Sequence, residues 1–189
     1  MTELEAANRA LMLLGVAPIG SLADLTQAAR VMSILMDGTK KAVLCEFPWP
    51  FVLRIVPLAR ASGSVPGYEY AFVRPADALD IQRVYSAVGN APMEYRIVGG
   101  LIGAHESAGK VEYVANVTDL NDWPRSIQEC FVTRLAADAA MTLTGSPDVV
   151  SLLLRRYTAA ASHAQEVSVV EEGNPINRRA DIRNSYSAR

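Results

Sequence analysis

Few residues in this chain have types and spacings suited to chemistry. His105 and His163 are its two histidines, and neither has a second His, Cys or carboxylate at metal-ligand spacing. Ser162 and His163 are adjacent in a segment that reads as helix, so their side chains leave on different faces and form no triad. Cys45 and Cys130 stand far apart without a CxxC pattern, which reads as two buried, reduced thiols. The glycines of VGGLIG lack the lysine and hydroxyl of a phosphate loop, and no GxGxxG or GxSxG occurs. Their position between two apolar runs predicts a hairpin turn.

Carboxylates are the remaining candidates, because glycan cleavage needs only two at a suitable separation. Glu106, Glu112, Asp119 and Asp122 gather loosely around one stretch of sequence, where solvated surface is the ordinary expectation. Asp138 lies among small residues in RLAADAA, one helical turn after Arg134, and an ion pair between them is expected. Tyr68, Tyr70 and Phe72 alternate like stacking aromatics but lack a flanking basic stripe, so core packing is expected instead. No catalytic, cofactor-binding or metal-binding residue is assigned, and the chain reads as a non-enzyme.

The whole-chain totals fit that reading. In 189 residues, half of them hydrophobic, a core can form without metals or disulfides. A domain this long buries roughly 70% of its unfolded surface. The net charge of −2 does not describe a nucleic-acid coat. No apolar run approaches the about 18 residues of a membrane span, and the acidic start MTELEA is unlike a signal peptide. Lysines number three against fifteen arginines.

The elements that would position these residues fall into three blocks. Thr2 and Glu5 form a capping box for a helix over 2–14, with Leu4, Ala7, Leu11 and Leu14 inward and Gly15 as its stop. A second helix over 24–46 carries Ala28, Met32, Leu35 and Ala42 inward, with a bend expected at Gly38. It ends on the corner EFPWPF, because Pro48 disfavours helix for Phe47. Trp49 and Phe51, beside Pro48, are expected to anchor that corner in the core. Residues 51–117 alternate with strand period and predict one small antiparallel sheet. Helices over 124–144 and 147–170 follow, separated by Gly145 and the N-cap sequence Ser146-Pro147-Asp148. The fold class is therefore α+β, mainly α: an antiparallel helical bundle forming one domain over 1–172, with an inserted β region.

Residues 173–189 differ in texture. After Gly173 there are four arginines, Arg178, Arg179, Arg183 and Arg189, against Asp181, which is +3 locally and leaves −5 for the body. With only Ile176, Ile182 and Tyr186 as large apolar groups, this arm buries too little to offset its ordering entropy alone. Either it is disordered, or a partner orders it as an extended arm.

Several features then recur in one order. They are A-x-x-x-L-x-x-L-G-x-x-P-I (Ala7 to Ile19), AARVM (Ala28 to Met32), PWPF, FVRPAD (Phe72 to Asp77), VEYVANVTD (Val111 to Asp119), RLAADAA, LTGSP and LLLRRY. In this the chain resembles the head-to-tail adaptor proteins of tailed bacteriophages, the group that includes tail tubular protein A, over about Glu3 to Glu172. The resemblance implies a virion protein, made in the host cytoplasm, that forms a ring, typically a dodecamer, under the portal protein. The ring would continue the DNA channel, with no sequence-specific DNA binding and no membrane contact, and present a platform to a downstream tail or nozzle protein. It also implies that the terminal arm grips the portal, which on this sequence nominates Asn174, Ile176, Arg178, Arg179, Ile182, Arg183, Tyr186 and Arg189. The alternative expectation is a tail-associated enzyme that cleaves peptidoglycan during infection.

Overall fold

A computed structural model of the chain describes residues 1–171. They are an α+β mixture of four helices and two small antiparallel sheets. The chain divides into two compact units, one of Met1–Val43 with the segment from Thr118 onward, the other of Leu44–Val117.

The first unit is helical. Helix α1 (Glu3–Leu13) starts on the expected capping box: the Thr2 hydroxyl accepts from Glu5 N at 3.1 Å, and the Glu5 carboxylate accepts from Thr2 N at 2.8 Å. Its buried face is Ala6, Ala7, Ala10 and Leu11. Gly15, at φ 69°, turns the chain out of the helix. Asn8 then brackets the following loop, donating to the Ile19 carbonyl at 3.0 Å and accepting from its N–H at 2.8 Å. A backbone that is paired in this way can bury Ile19 without stranding its polar groups.

Helix α2 (Gln27–Glu46) begins behind Thr26, whose hydroxyl accepts from Ala29 N at 3.2 Å. Asp24, where the predicted helix begins, instead closes the preceding loop by accepting from Gly20 N and Ser21 N. The helix passes through Gly38 uninterrupted. Its buried residues are Ala29, Met32, Met36, Thr39, Lys40, Val43 and Leu44, whereas Ala42, expected inside, is exposed. At 3.6 residues per turn Ala42 falls with Ile34 and Gly38 on the opposite face.

Helix α3 (Arg125–Thr144) follows Pro124, whose carbonyl accepts from Ile127 N and Gln128 N. The predicted stripe Ile127, Cys130, Phe131, Leu135 and Ala139 is buried, and so are Val132, Thr133, Ala136, Ala137 and Ala140. A helix apolar around most of its girth belongs in the middle of its bundle. Here α1 packs on it, as does α4 (Pro147–Glu171). Gly145, at φ 66°, separates α3 from α4, and Leu153, Tyr157, Ala161 and Ala164 form the buried row of α4.

The second unit holds two sheets where the sequence predicts one. Strands β1 (Leu53–Pro57), β4 (Ala78–Ser86) and β7 (Gly109–Ala115) form the order β1-β7-β4. Strands β2 (Ala59–Arg60), β3 (Tyr70–Val73), β5 (Tyr95–Val98) and β6 (Leu101–Ala104) form the order β2-β3-β6-β5. Phe72, Ile102 and Ala104 from one sheet share a core with Ile81, Val84, Val111, Tyr113 and Ala115 from the other. The VGGL hairpin is present, with Val98 opposite Leu101 and Gly99 and Gly100 at φ 57° and 81°, as a two-residue primed turn requires. Strand β4 breaks its predicted alternation. Register shifts at Ala78/Asp80 and Ile81/Arg83 move the buried face from Ile81 to Val84 and Ser86.

Candidate functional site

Several residues singled out for chemistry have structural partners instead. In the sheet unit, His105 lies against Tyr68, ring centroids 4.8 Å apart. Glu106 accepts from the Ser86 hydroxyl at 2.5 Å, which fixes a serine buried at the end of β4. Glu112 accepts from the Tyr85 hydroxyl at 2.5 Å, and Asp77 accepts from the Tyr113 hydroxyl at 3.0 Å. Burial first, and then the facing carboxylate, push both phenols above their ordinary value. Arg74 of FVRPAD donates to the carbonyls of Ala78 and Leu79, both at 2.8 Å, and so holds the turn into β4.

Asp119 and Asp122 belong to the helical unit. Asp119 caps the short turn Leu120–Asp122 by accepting from Asn121 N at 2.9 Å. Glu106 and Glu112 are thus engaged in one unit, and Asp119 in the other. No group of three His, Cys, Asp or Glu residues placed to hold a metal occurs among the described residues. His163 is exposed on α4.

Cys130 is buried as expected, but Cys45 is exposed. The inward row of α2 runs through Val43 and Leu44, which turns Cys45 outward. Partial burial of its sulfur and the charge of Asp80 raise its pKa, so it is a poor thiolate at neutral pH.

At the corner, Trp49 is 1% exposed and its ring meets that of Phe47 at 4.9 Å. Pro50 opens a 3-10 turn over Pro50–Val52, which seats Val52 fully in the interior. Phe51 and Pro48 are half-buried. The corner therefore anchors through Trp49 and Val52 more than through Phe51. The arm residues Asn174, Ile176, Arg178, Arg179, Ile182, Arg183, Tyr186 and Arg189 lie outside the described residues.

Two arrangements in the helical unit have weaker signals in the sequence. Lys40 is 5% exposed, and its ammonium donates to Glu3 at 2.5 Å and to the Thr118 carbonyl at 3.1 Å. One buried charge thereby ties α1, α2 and the chain returning at Thr118. Asp138 does pair with Arg134, at 2.9 Å, and also accepts from Thr39 of α2 at 3.0 Å. The Arg134 guanidinium lies 5.2 Å from the Tyr157 ring of α4. Three helices are pinned at this node.

On this pinned frame the exposed large apolar side chains are Met12, Leu25, Ile34, Met141, Leu152 and Leu154. Single exposed residues of this kind are ordinary, but a row along one helix marks a surface for association. The chain matches no protein-family model and no curated protein sequence. No helix among the described residues is long and apolar enough to cross a membrane.

Proposed function

We propose that this chain is a head-to-tail adaptor of a tailed bacteriophage, a structural virion protein whose ring joins the portal to the tail and continues the DNA channel. The observation that carries the reading is the ordered series of motifs from Ala7 to Tyr157. Its members have positions in the fold that suit a scaffold: Gly15 and Gly145 end helices, Ile19 is clamped by Asn8, Trp49 fills the corner, and Arg74 holds a turn. A helical body with exposed apolar side chains is also suited to standing beside copies of itself. The segment after Gly173 carries few large apolar groups, so it has little surface to bury on its own body, which suits an arm that a partner orders.

The test is the mass, by light scattering, of the full chain alone and mixed with a purified portal ring. The adaptor reading expects a stable complex in which a ring of copies joins each portal. Deletion of residues 174–189 should leave thermal unfolding unchanged and abolish that complex. A deleted chain that still assembles into particles removes the arm from the reading. A full chain that joins no portal removes the reading itself.

A further inference from the structure

The outer face of α2 has features that the described residues of its own protomer do not account for. Val31, Ile34, Gly38, Ala42 and Cys45 recur at three- and four-residue steps, the spacing of one helical stripe. Val31 is half-buried and the other four are exposed, Ile34 at 79%. Gly38 sits in the interior of a 20-residue helix, where glycine costs about 1 kcal/mol relative to alanine. A Cβ added there would meet nothing within 4 Å, and no positive φ demands glycine. Neither packing against the described residues nor backbone conformation calls for it. A missing side chain at the centre of an exposed apolar row does, however, let another helix approach closely.

Charge selects the occupant. Asp37, exposed, and Lys41, half-buried, are paired at 2.7 Å and flank the row on one side of Gly38. We propose that the outer face of α2 is a self-association surface on which a second copy of this chain lays its own α2 antiparallel, about a two-fold axis at Gly38. In that pairing Ile34 meets the partner's Ala42, and Val31 meets the partner's Cys45. The partner's Lys41 falls on the same flank as Asp37, two residues away along the axis, or about 3 Å. The ion pair within each helix can therefore re-form as two pairs across the axis. A parallel arrangement would set Asp37 and Lys41 against the opposite flank, where Leu35 and Ala42 offer no charge. The inference is independent of the adaptor reading: a two-fold pair is isologous, whereas neighbours in a ring meet through two different faces.

A single helix pair of about 30 Å is a small interface, so the dimer forms at high protein concentration. Sedimentation velocity of the full chain over a concentration series should show mass rising from 20.4 kDa to twice that value. Ile34→Asp and Gly38→Leu should each hold the chain at monomer mass, with circular dichroism unchanged because both positions face open solvent. Asp37→Lys should weaken the dimer, and adding Lys41→Asp should restore it. Orientation is read by oxidation. Val31→Cys should cross-link to the partner's Cys45, while the unaltered chain should not cross-link, because the two Cys45 residues stand about 21 Å apart along the axis. Monomer at every concentration overturns the proposal. So does a dimer indifferent to Ile34→Asp and Gly38→Leu, or a Cys45–Cys45 disulfide in the unaltered chain.

Discussion

Asp138 on α3 holds two helices with its two carboxylate oxygens: Oδ1 accepts from Arg134 Nε at 2.9 Å, and Oδ2 accepts from the Thr39 hydroxyl of α2 at 3.0 Å. The two bonds do not weigh equally. Arg134 and Asp138 are each about a third exposed, and an ion pair one turn apart in that setting is worth about 0.3–0.5 kcal/mol. Thr39 is 4% exposed, so its hydroxyl would be left without its acceptor in the interior, at about 1–3 kcal/mol. Asp138→Ala should therefore lower unfolding stability by about 1–3 kcal/mol. Arg134→Met should cost less, about 0.5–1 kcal/mol, through loss of the ion pair and of the contact with Tyr157. Urea denaturation of the two variants decides the order. Equal losses would mean that the Thr39 bond contributes nothing.

Trp49 should be the most costly side chain to remove from the corner. It is fully buried, and truncation leaves a cavity that Phe47 and the prolines on either side are poorly able to fill. Trp49→Ala is expected to cost about 3–5 kcal/mol, and Phe51→Ala clearly less, because Phe51 is half-buried. A loss below about 1 kcal/mol for Trp49→Ala, on the scale where burial should give several, would place its role at a contact surface instead.

The accuracy of the sequence reading varies with the range of the signal. Helix boundaries are legible because caps are local: Thr2 with Glu5, Gly15, Gly145 and Ser146 each act within a few residues. The Arg134–Asp138 pair is legible for the same reason. Ala42 and Cys45 are misplaced because periodicity locates a stripe but does not say which of two adjacent stripes meets α3, and α2 turns its Ala29–Met36–Val43 row inward. Lys40 is hidden because its partners, Glu3 and Thr118, are distant in sequence. The bulges of β4 and the division into two sheets depend on pairing partners, which alternation within one strand does not encode. The nominated arm falls beyond the described residues, and its nomination comes from composition and from the resemblance.

Two glycines should respond to alanine with opposite signs. A Cβ on Gly38 meets open space in a helix interior, so Gly38→Ala should raise stability by up to about 1 kcal/mol. A Cβ on Gly109, at the start of β7, would lie 2.6 Å from the Tyr85 carbonyl oxygen and 2.7 Å from Met93 Cε. Met93 can move, but the carbonyl belongs to the β4 backbone paired with β7. Gly109→Ala should therefore cost about 1–3 kcal/mol, the usual range for overpacking. Thermal unfolding of both variants tests this, and a stable Gly109→Ala would show that the strand pair yields where its pairing holds it.

Alkaline pH should weaken the sheet unit through Tyr85 and Tyr113. Both phenols are pushed above the ordinary value of 10.0 in the folded chain, by burial first and then by hydrogen bonds to Glu112 and Asp77. In the unfolded chain they ionise near that ordinary value. Between the two, the folded state holds protons that the unfolded state has released, so stability falls as pH rises. The contribution is intact below about pH 10 and declines through the window above it. A series of urea denaturations from neutral to strongly alkaline pH should show this decline in the unaltered chain. Tyr85→Phe and Tyr113→Phe should each flatten part of it, since phenylalanine releases no proton, and tyrosinate absorbance of the folded chain should show two late-ionising phenols. If neither substitution changes the slope, burial at these two positions is not what resists ionisation, and the carboxylate contacts of β4 and β7 carry no linked protons.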